Sequence, residues 1–380
     1  MRLSPVLAEM ATYPFVRLEE AKRAARARGV ELIDFGVGDP REATDEMIRQ
    51  ALIGAVEERL GYPLAVGLPE LRAAIAAWIE RRFGVVVDSD SDVLPTLGSK
   101  EAIFSFAQLV VDRESDKRVV VTTEPGYPVQ ERGALFAGAE VRTVPLLAEN
   151  AFLPDLDAID FWDRIAIFWV NYPNNPTGAT APLAFYEELA ERAREHEFLL
   201  CSDEAYSEIW FDEPPQSALQ VSDRSNVVVF NTLSKRSSMT GYRSGFVAAP
   251  AAAIAALRRF RPTVGTAPQE FVQRASIVAW GDEAHVERTR DIYRRKRALI
   301  EPALRERGIA LAASTATFFL WIEAPAGETS EAFAARLLDG GIVVAPGPYF
   351  GPAGEGYVRL ALVPSEAECS RAAEILRGVL

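Results

Sequence analysis

The chain has 380 residues, 49% of them hydrophobic and 25% charged, with a formal net charge of −13. That length exceeds the usual size of a single core, so two domains, or a large domain with a smaller companion, are expected. The acidic balance argues against a nucleic-acid partner, which needs a basic surface, but leaves an anionic small molecule open, because a few Arg and Lys can reverse the field inside a cleft.

Taken in chain order, the N-terminal stretch mixes Arg17, Glu19, Glu20, Lys22 and Arg23 and has no apolar core of a secretory signal. No apolar run approaches the ~20 residues that cross a bilayer, so the expectation is a cytoplasmic protein. From about residue 95 to 250, short apolar runs alternate with helix-like stretches. The runs lie at 118–123 (RVVVTT), 165–172 (IAIFWVNY), 198–203 (FLLCSD), 227–232 (VVVFNT) and 245–249 (GFVAA). Each is apolar on consecutive positions, as in strands covered on both faces. Between them, 183–196 carries apolar Leu183, Phe185, Leu189 and Ala193 at helical spacing. This alternation predicts an α/β fold with a mostly parallel sheet flanked by helices. A long helical region, rich in Ala and Arg, follows from 268 to about 308. Strands at 318–323, 341–345 and 357–362 then alternate with helices at 330–338 and 365–380, which reads as a smaller α+β block. The expected division is a large domain over 46–270 and a small one combining 1–45 with 271–380.

Ligands of an open parallel sheet bind at the carboxyl ends of its strands, so the polar residues closing the runs are the ones to test. One run ends in NYPNNPTG (171–178), the next in SDEAY (202–206), and the next in NTLSK (231–235), followed by MTGYR (239–243). An aldehyde cofactor needs an amine, and Lys235 supplies one. A pyridine used as an electron sink is best held with its nitrogen protonated, which Asp203 would stabilise. A charged ring oxygen wants donors, available from Asn175 and Tyr206. A phosphate wants hydroxyls, backbone N–H groups and a fixed cation. Thr232, Ser234 and Arg243 surround Lys235, and Gly98-Ser99-Lys100 opens an amphipathic helix over 101–110. The cofactor these types fit is pyridoxal 5'-phosphate. The two cysteines, Cys201 and Cys369, and the two histidines make no metal site; buried thiols are the expected reading.

In this order and spacing, NNPTG, SDEAY and SKxxxMTGxRxG resemble the fold-type-I aminotransferases of the aspartate aminotransferase superfamily. The likeness extends to DFGVGDP (34–40), GYP (61–63), GLPELR (67–72), GSKE (98–101) and YVRL (357–360). It implies that Lys235 carries the cofactor and, once released by substrate, moves the proton between Cα and C4'. It also implies that Asp203 pairs with the ring nitrogen and that Asn175 and Tyr206 bond the 3'-oxygen. Ser99, Lys100, Thr232, Ser234 and Arg243 surround the phosphate, and Tyr127 stacks on the ring. Arg359, with the backbone at Gly38 and with Asn175, takes the substrate α-carboxylate. Tyr62 would reach the phosphate of a neighbouring subunit, implying a homodimer with shared sites.

Two departures from the family pattern stand out: Gln130, where relatives often have an aromatic, and the polar run Arg236-Ser237-Ser238. The segments GVGDPREAT, LGSKEAIFSF and NTLSKRSSMTGYRSGF most resemble the succinyldiaminopimelate transaminases of lysine and cell-wall precursor synthesis, with glutamate and 2-oxoglutarate as the donor pair. Tyr13, Arg17 and Arg41 are candidates for the distal end of such a substrate. LL-diaminopimelate or another amino acid as substrate, a C–S β-lyase, and a non-catalytic sensor on the same fold are the alternatives. His196, His285 and the Arg-rich run 288–297 read as surface positions, and Trp162 and Trp169 as packing residues.

Overall fold

Side chains of an extended chain point alternately to the two faces of a sheet, so a run such as Ile165–Asn171 is apolar throughout only if both faces are covered. The computed structural model, which describes residues 4–9 and 15–380, has that architecture. Its strands are β1 (Ile33–Asp34), β2 (Val93–Thr96), β3 (Val119–Glu124), β4 (Glu140–Pro145), β5 (Ile165–Asn171), β6 (Leu199–Asp203), β7 (Val227–Thr232), β8 (Gly245–Ala248), β9 (Phe319–Glu323), β10 (Ile342–Val343), β11 (Ala345–Pro346) and β12 (Tyr357–Ala361).

β2 to β8 form one sheet in the order β2-β8-β7-β6-β5-β3-β4. β7, β6, β5, β3 and β4 are parallel neighbours, whereas β8 runs antiparallel to β7 and β2 antiparallel to β8. β8 reverses because the connection from β7 holds only the short helix Leu233–Arg236 and a turn, and so returns at the same end of the sheet. Val227, Val229 and Phe168 enter one core layer while Val228, Phe230 and Trp169 enter the opposite one. Each such side chain contributes roughly 1.5–3 kcal/mol when removed from water.

The C-terminal residues build a second core. β12 pairs antiparallel with both β11 and β9, and β1 pairs parallel with β10, so the N-terminal segment joins the C-terminal block. Phe318, Leu320, Ile322, Leu360 and Leu376 fill this core. Among the described residues, no helix is long and apolar enough to cross a membrane. Cys201, Cys369, Trp162 and Trp169 are all buried.

Several expectations need correction. The helical region at 268–308 divides into Glu270–Gly281 and Ala284–Arg305. Asp282 takes an extended conformation, and its carboxylate accepts the His285 backbone N–H at 2.8 Å. The Ala- and Arg-rich pattern on both sides conceals that break. The run 341–345 is two short strands, because the chain changes partner from β1 to β12 there. His285 is buried, not on the surface, and so are Arg290 and Lys296 in the run expected to be solvated. Lys296 is only 1% exposed because Glu42 and the carbonyl of Leu362 surround its amine. His196 is half-buried, stacked on Trp162.

Candidate active site

β5, β6 and β7 are neighbours, so their carboxyl ends at Asn171, Asp203 and Thr232 lie side by side. A cavity of about 700 Å³ opens there, closed on its other side by residues of the second core. It brings together Gly38, Ser99, Lys100, Tyr127, Asn175, Asp203, Tyr206, Thr232, Ser234, Lys235, Arg243 and Arg359. Tyr62 is the exception: it lies fully exposed on the coil after Glu46–Gly54 and is no part of the cavity wall. Arg17 and Arg41 are not wall residues either; Arg17 stands beside Glu331 at the surface. Tyr13 lies outside the described residues.

The floor is Asp203, whose carboxylate is buried and accepts the Ala205 N–H at 3.2 Å. Burial pushes its pKa up to about 7, against the opposing pull of that N–H and of Lys235. Asn171 donates its side-chain amide to the Asp203 carbonyl at 2.8 Å and accepts the Asn175 N–H at 2.9 Å, which ties two strand ends together. Asn171 is a functional residue that the sequence motifs do not single out. Its one signal was a carboxamide closing an apolar strand.

Arg359 projects from β12 into the cavity, 3% exposed. It donates to Asn175 Oδ1 and to the Gly36 carbonyl, both at 2.8 Å, and lies 4.3 Å from the Phe319 ring and 4.5 Å from that of Phe350. With its oxygen engaged by Arg359, the Asn175 amide nitrogen is the end left to donate into the cavity. A Cβ at Gly38 would sit 2.7 Å from the Phe319 ring, so glycine lets this turn lie close to Arg359.

Lys235 lies on the short helix Leu233–Arg236, capped by the Thr232 hydroxyl, which accepts from Ser234 N. Its Nζ donates to the Gly38 carbonyl at 3.0 Å. Burial brings its pKa down to about 8; Asp39 opposes that shift, while Arg359 and Arg243 add to it. Asp39, a wall residue, was not among the sequence candidates and follows directly on Gly38.

The remaining wall is a cradle for an anion. Ser99 starts the helix Ser99–Val110, whose N-cap Gly98 has φ of 74° and offers no side-chain cap. A Cβ there would stand 2.6 Å from Arg243 Nη2, so only glycine lets the guanidinium approach this helix start. Thr232 Oγ1 donates to Ser234 Oγ at 2.9 Å. Arg243 Nη1 lies 3.5 Å from the same Ser234 oxygen. Lys100 Nζ lies 5.7 Å from the centre of the Tyr127 ring. First-turn N–H groups, paired hydroxyls and a fixed guanidinium are the donors a phosphate needs.

These groups fit pyridoxal 5'-phosphate: a buried carboxylate short of a cation, a lysine with a lowered pKa, an amide donor and an anion cradle share one cavity. The model of the family described as aminotransferase class I and II matches residues 30–376. The chain belongs to that family. The aminotransferase is a pyridoxal 5'-phosphate enzyme, as the family is. It is 41% identical over 375 residues to the LL-diaminopimelate aminotransferase of Aquifex aeolicus, covering 97% of this chain and 96% of that one. Among solved structures, an aminotransferase from Neisseria meningitidis superposes with a TM-score of 0.91 at 36% identity, covering 99% of both chains. A probable N-succinyldiaminopimelate aminotransferase from Thermus thermophilus superposes with a TM-score of 0.89 at 32% identity, covering 96% of this chain and all of that one.

Proposed function

We propose that this aminotransferase exchanges the amino group of LL-diaminopimelate with 2-oxoglutarate. The carrying observation is its 41% identity, over nearly the whole chain, to a relative bearing that name. This inverts the ranking drawn from sequence motifs, which put the succinylated substrate first. The succinylated substrate keeps the support of the Thermus thermophilus neighbour, at the lower identity of 32%.

Pyridoxal 5'-phosphate supplies, when bound, an aldehyde for the amine and an electron sink for the carbanion left at Cα. In our reading, Lys235 holds it and, once displaced, takes the proton from the substrate's Cα with the same Nζ. Its lowered pKa supports that role, since a base works best with a pKa near the operating pH. Asp203 holds the ring nitrogen's proton, while Asn175 and Tyr206 donate to the ring oxygen. Ser99, Lys100, Thr232, Ser234 and Arg243 bind the phosphate, and Tyr127 covers one face of the ring. Arg359, with Asn175 and the backbone at Gly38, orients the α-carboxylate so that the Cα–H bond faces Lys235.

A homodimer belongs to the same proposal. Exposed Val56, Leu60, Tyr62 and Leu64 form an apolar stretch on one coil, the kind of surface a partner subunit covers. Light scattering should give twice the chain mass. The two-domain division, read from sequence as 46–270 against 1–45 with 271–380, is proposed with its second boundary moved to Asp282, because Glu270–Gly281 packs mainly on Glu46–Gly54 and Pro69–Phe83.

The test is steady-state turnover with 2-oxoglutarate. LL-diaminopimelate should exceed its N-succinyl derivative in kcat/KM by tenfold or more. The reverse order would return the succinylated reading, and pyruvate released from cystathionine without any keto acid would point to a lyase.

A further inference from the structure

The three residues that follow Lys235 take no part in the cavity wall, yet all are buried: Arg236 is 1% exposed, Ser237 2% and Ser238 9%. Each is tied to a different element. The Arg236 guanidinium lies against both Trp78 and Trp280, 5.6 and 5.1 Å from their ring centres, which are themselves in contact at 4.6 Å. It donates to the Ala279 carbonyl at 2.6 Å, to the Asp282 carbonyl at 3.2 Å and to the Glu283 carboxylate at 2.6 Å. The Ser237 hydroxyl stands 2.8 Å from His285 Nε2, and His285 Nδ1 stands 2.7 Å from the Asp282 carboxylate. The Ser238 carbonyl accepts the Thr44 hydroxyl at 2.7 Å, while Ser238 itself holds a left-handed φ of 51°.

The proton positions in this chain follow from its end groups. An ionised carboxylate only accepts, so His285 carries its proton on Nδ1 and leaves Nε2 to accept from Ser237. Arg236 Nη1 can then donate to the same serine oxygen, 3.3 Å away. The sequence runs Arg236 to Ser237 to His285 to Asp282, every link with one donor and one acceptor. A serine, a histidine and an aspartate in this order resemble a hydrolytic triad, but Ser237 is 2% exposed and is not on the wall of the active-site cavity. The chain therefore acts on its surroundings by holding them.

We propose that Arg236 and the Ser237–His285–Asp282 chain are positioning residues that fix the line along which Lys235 approaches the substrate's Cα proton. They do so by anchoring the four-residue helix Leu233–Arg236 to the end of Glu270–Gly281 and to the start of Ala284–Arg305. A lysine side chain is long and flexible, so its amine is placed only as well as its backbone is. A displacement of ~1 Å at a reacting atom lowers a rate by about 100-fold. The inference rests on Lys235 being the reactive amine.

The test uses the cofactor-loaded enzyme and the variants Arg236→Met, Ser237→Ala and His285→Gln. All three should keep the visible absorbance band of the bound cofactor. Conversion of that band by glutamate should slow about tenfold or more in Arg236→Met and several-fold in the other two, with half-saturating glutamate unchanged. The kinetic isotope effect with Cα-deuterated glutamate should rise, because proton transfer becomes the slow step. A wild-type rate and isotope effect, or a change confined to half-saturation, would overturn the proposal. If Arg236→Met does not fold, Ser237→Ala and His285→Gln decide the matter alone. Nitrogen NMR, simple in a chain with two histidines, should show His285 protonated on Nδ1, with Nε2 shifting on loss of Ser237; protonation on Nε2 would sink the chain. Lys235→Ala separates the two levels: if it too keeps its band and turnover, the lysine assignment has failed rather than the clamp.

Discussion

Lys235 stands between two buried polar regions that differ in how completely their hydrogen bonding is closed. In front, facing the cavity, one backbone N–H reaches the Asp203 carboxylate among the described residues, and its pKa rises to about 7. Behind, both terminal nitrogens of Arg236 are engaged and both ring nitrogens of His285 have partners. The side chains of both regions are buried, so the difference lies in what the chain supplies in place of water. Arg236 Nε and the Ser238 hydroxyl lack a hydrogen-bond partner among the described residues, so the back is closed at the groups that reach other elements. Those groups hold the backbone in place, whereas polar groups short of partners at the front are held ready for a ligand. The front therefore governs chemistry and the back governs geometry.

The largest effect expected is at the centre of the front. Lys235→Ala should remove the cofactor's visible band and cut turnover by at least ~1,000-fold, since nucleophile and base are lost together. Intact turnover in that variant would end the assignment. Asp203→Asn keeps the shape but cannot stabilise a protonated ring nitrogen; a fall of ~100-fold or more in the glutamate half-reaction is expected, read by stopped-flow absorbance. Arg359→Ala deletes a charge-assisted pair worth about 1.5–3 kcal/mol, or roughly 10- to 150-fold in kcat/KM for glutamate. An unchanged value would place the α-carboxylate elsewhere.

Smaller effects concern pH. Asp203 in the folded cofactor-free protein has a pKa of about 7, above that of an ordinary aspartate. The folded state thus binds more protons than the unfolded one between those values, and stability falls as pH rises from about 4 to 7. A bound cofactor that pairs with the carboxylate reverses this, so the melting-temperature gap between loaded and unloaded protein should widen over that range and flatten in Asp203→Asn. Lys235 is neutral above about 8, so cofactor uptake should quicken with pH up to that value and then level off. Behind the lysine the sign is opposite to that of Asp203. His285 is held below its ordinary pKa by burial. Its contribution is therefore present above about 6.5 and lost as pH falls through its folded value. Ser237→Ala should cost about 1 kcal/mol at neutral pH, with less pH dependence below 6.5 than the wild type, measured by denaturant unfolding.

The cavity's front was legible from sequence because consecutive strands of a parallel sheet end at one edge. Motifs closing successive apolar runs must then converge, and NNPTG, SDEAY and NTLSK do. Asp39 and Asn171 escaped notice since neither type has a distinctive signal at its position. The back was illegible: Arg236 and His285 sit in polar stretches that look solvated, and only the packing of the guanidinium against Trp78, Trp280 and the turn at Ala279–Glu283 makes that site an interior.

By itself the sequence determined the alternation of strands and helices, the family and the cofactor chemistry, and it put Lys235 forward as the amine. These rest on local periodicity and on residue types whose chemistry is intrinsic. Only the tertiary structure decided that β8 runs antiparallel, that the helical region breaks at Asp282, and that Lys296 and Arg290 turn inward. Such outcomes depend on which surfaces meet across long stretches of chain. Burial of a charged side chain is a property of that meeting, and no local pattern encodes it.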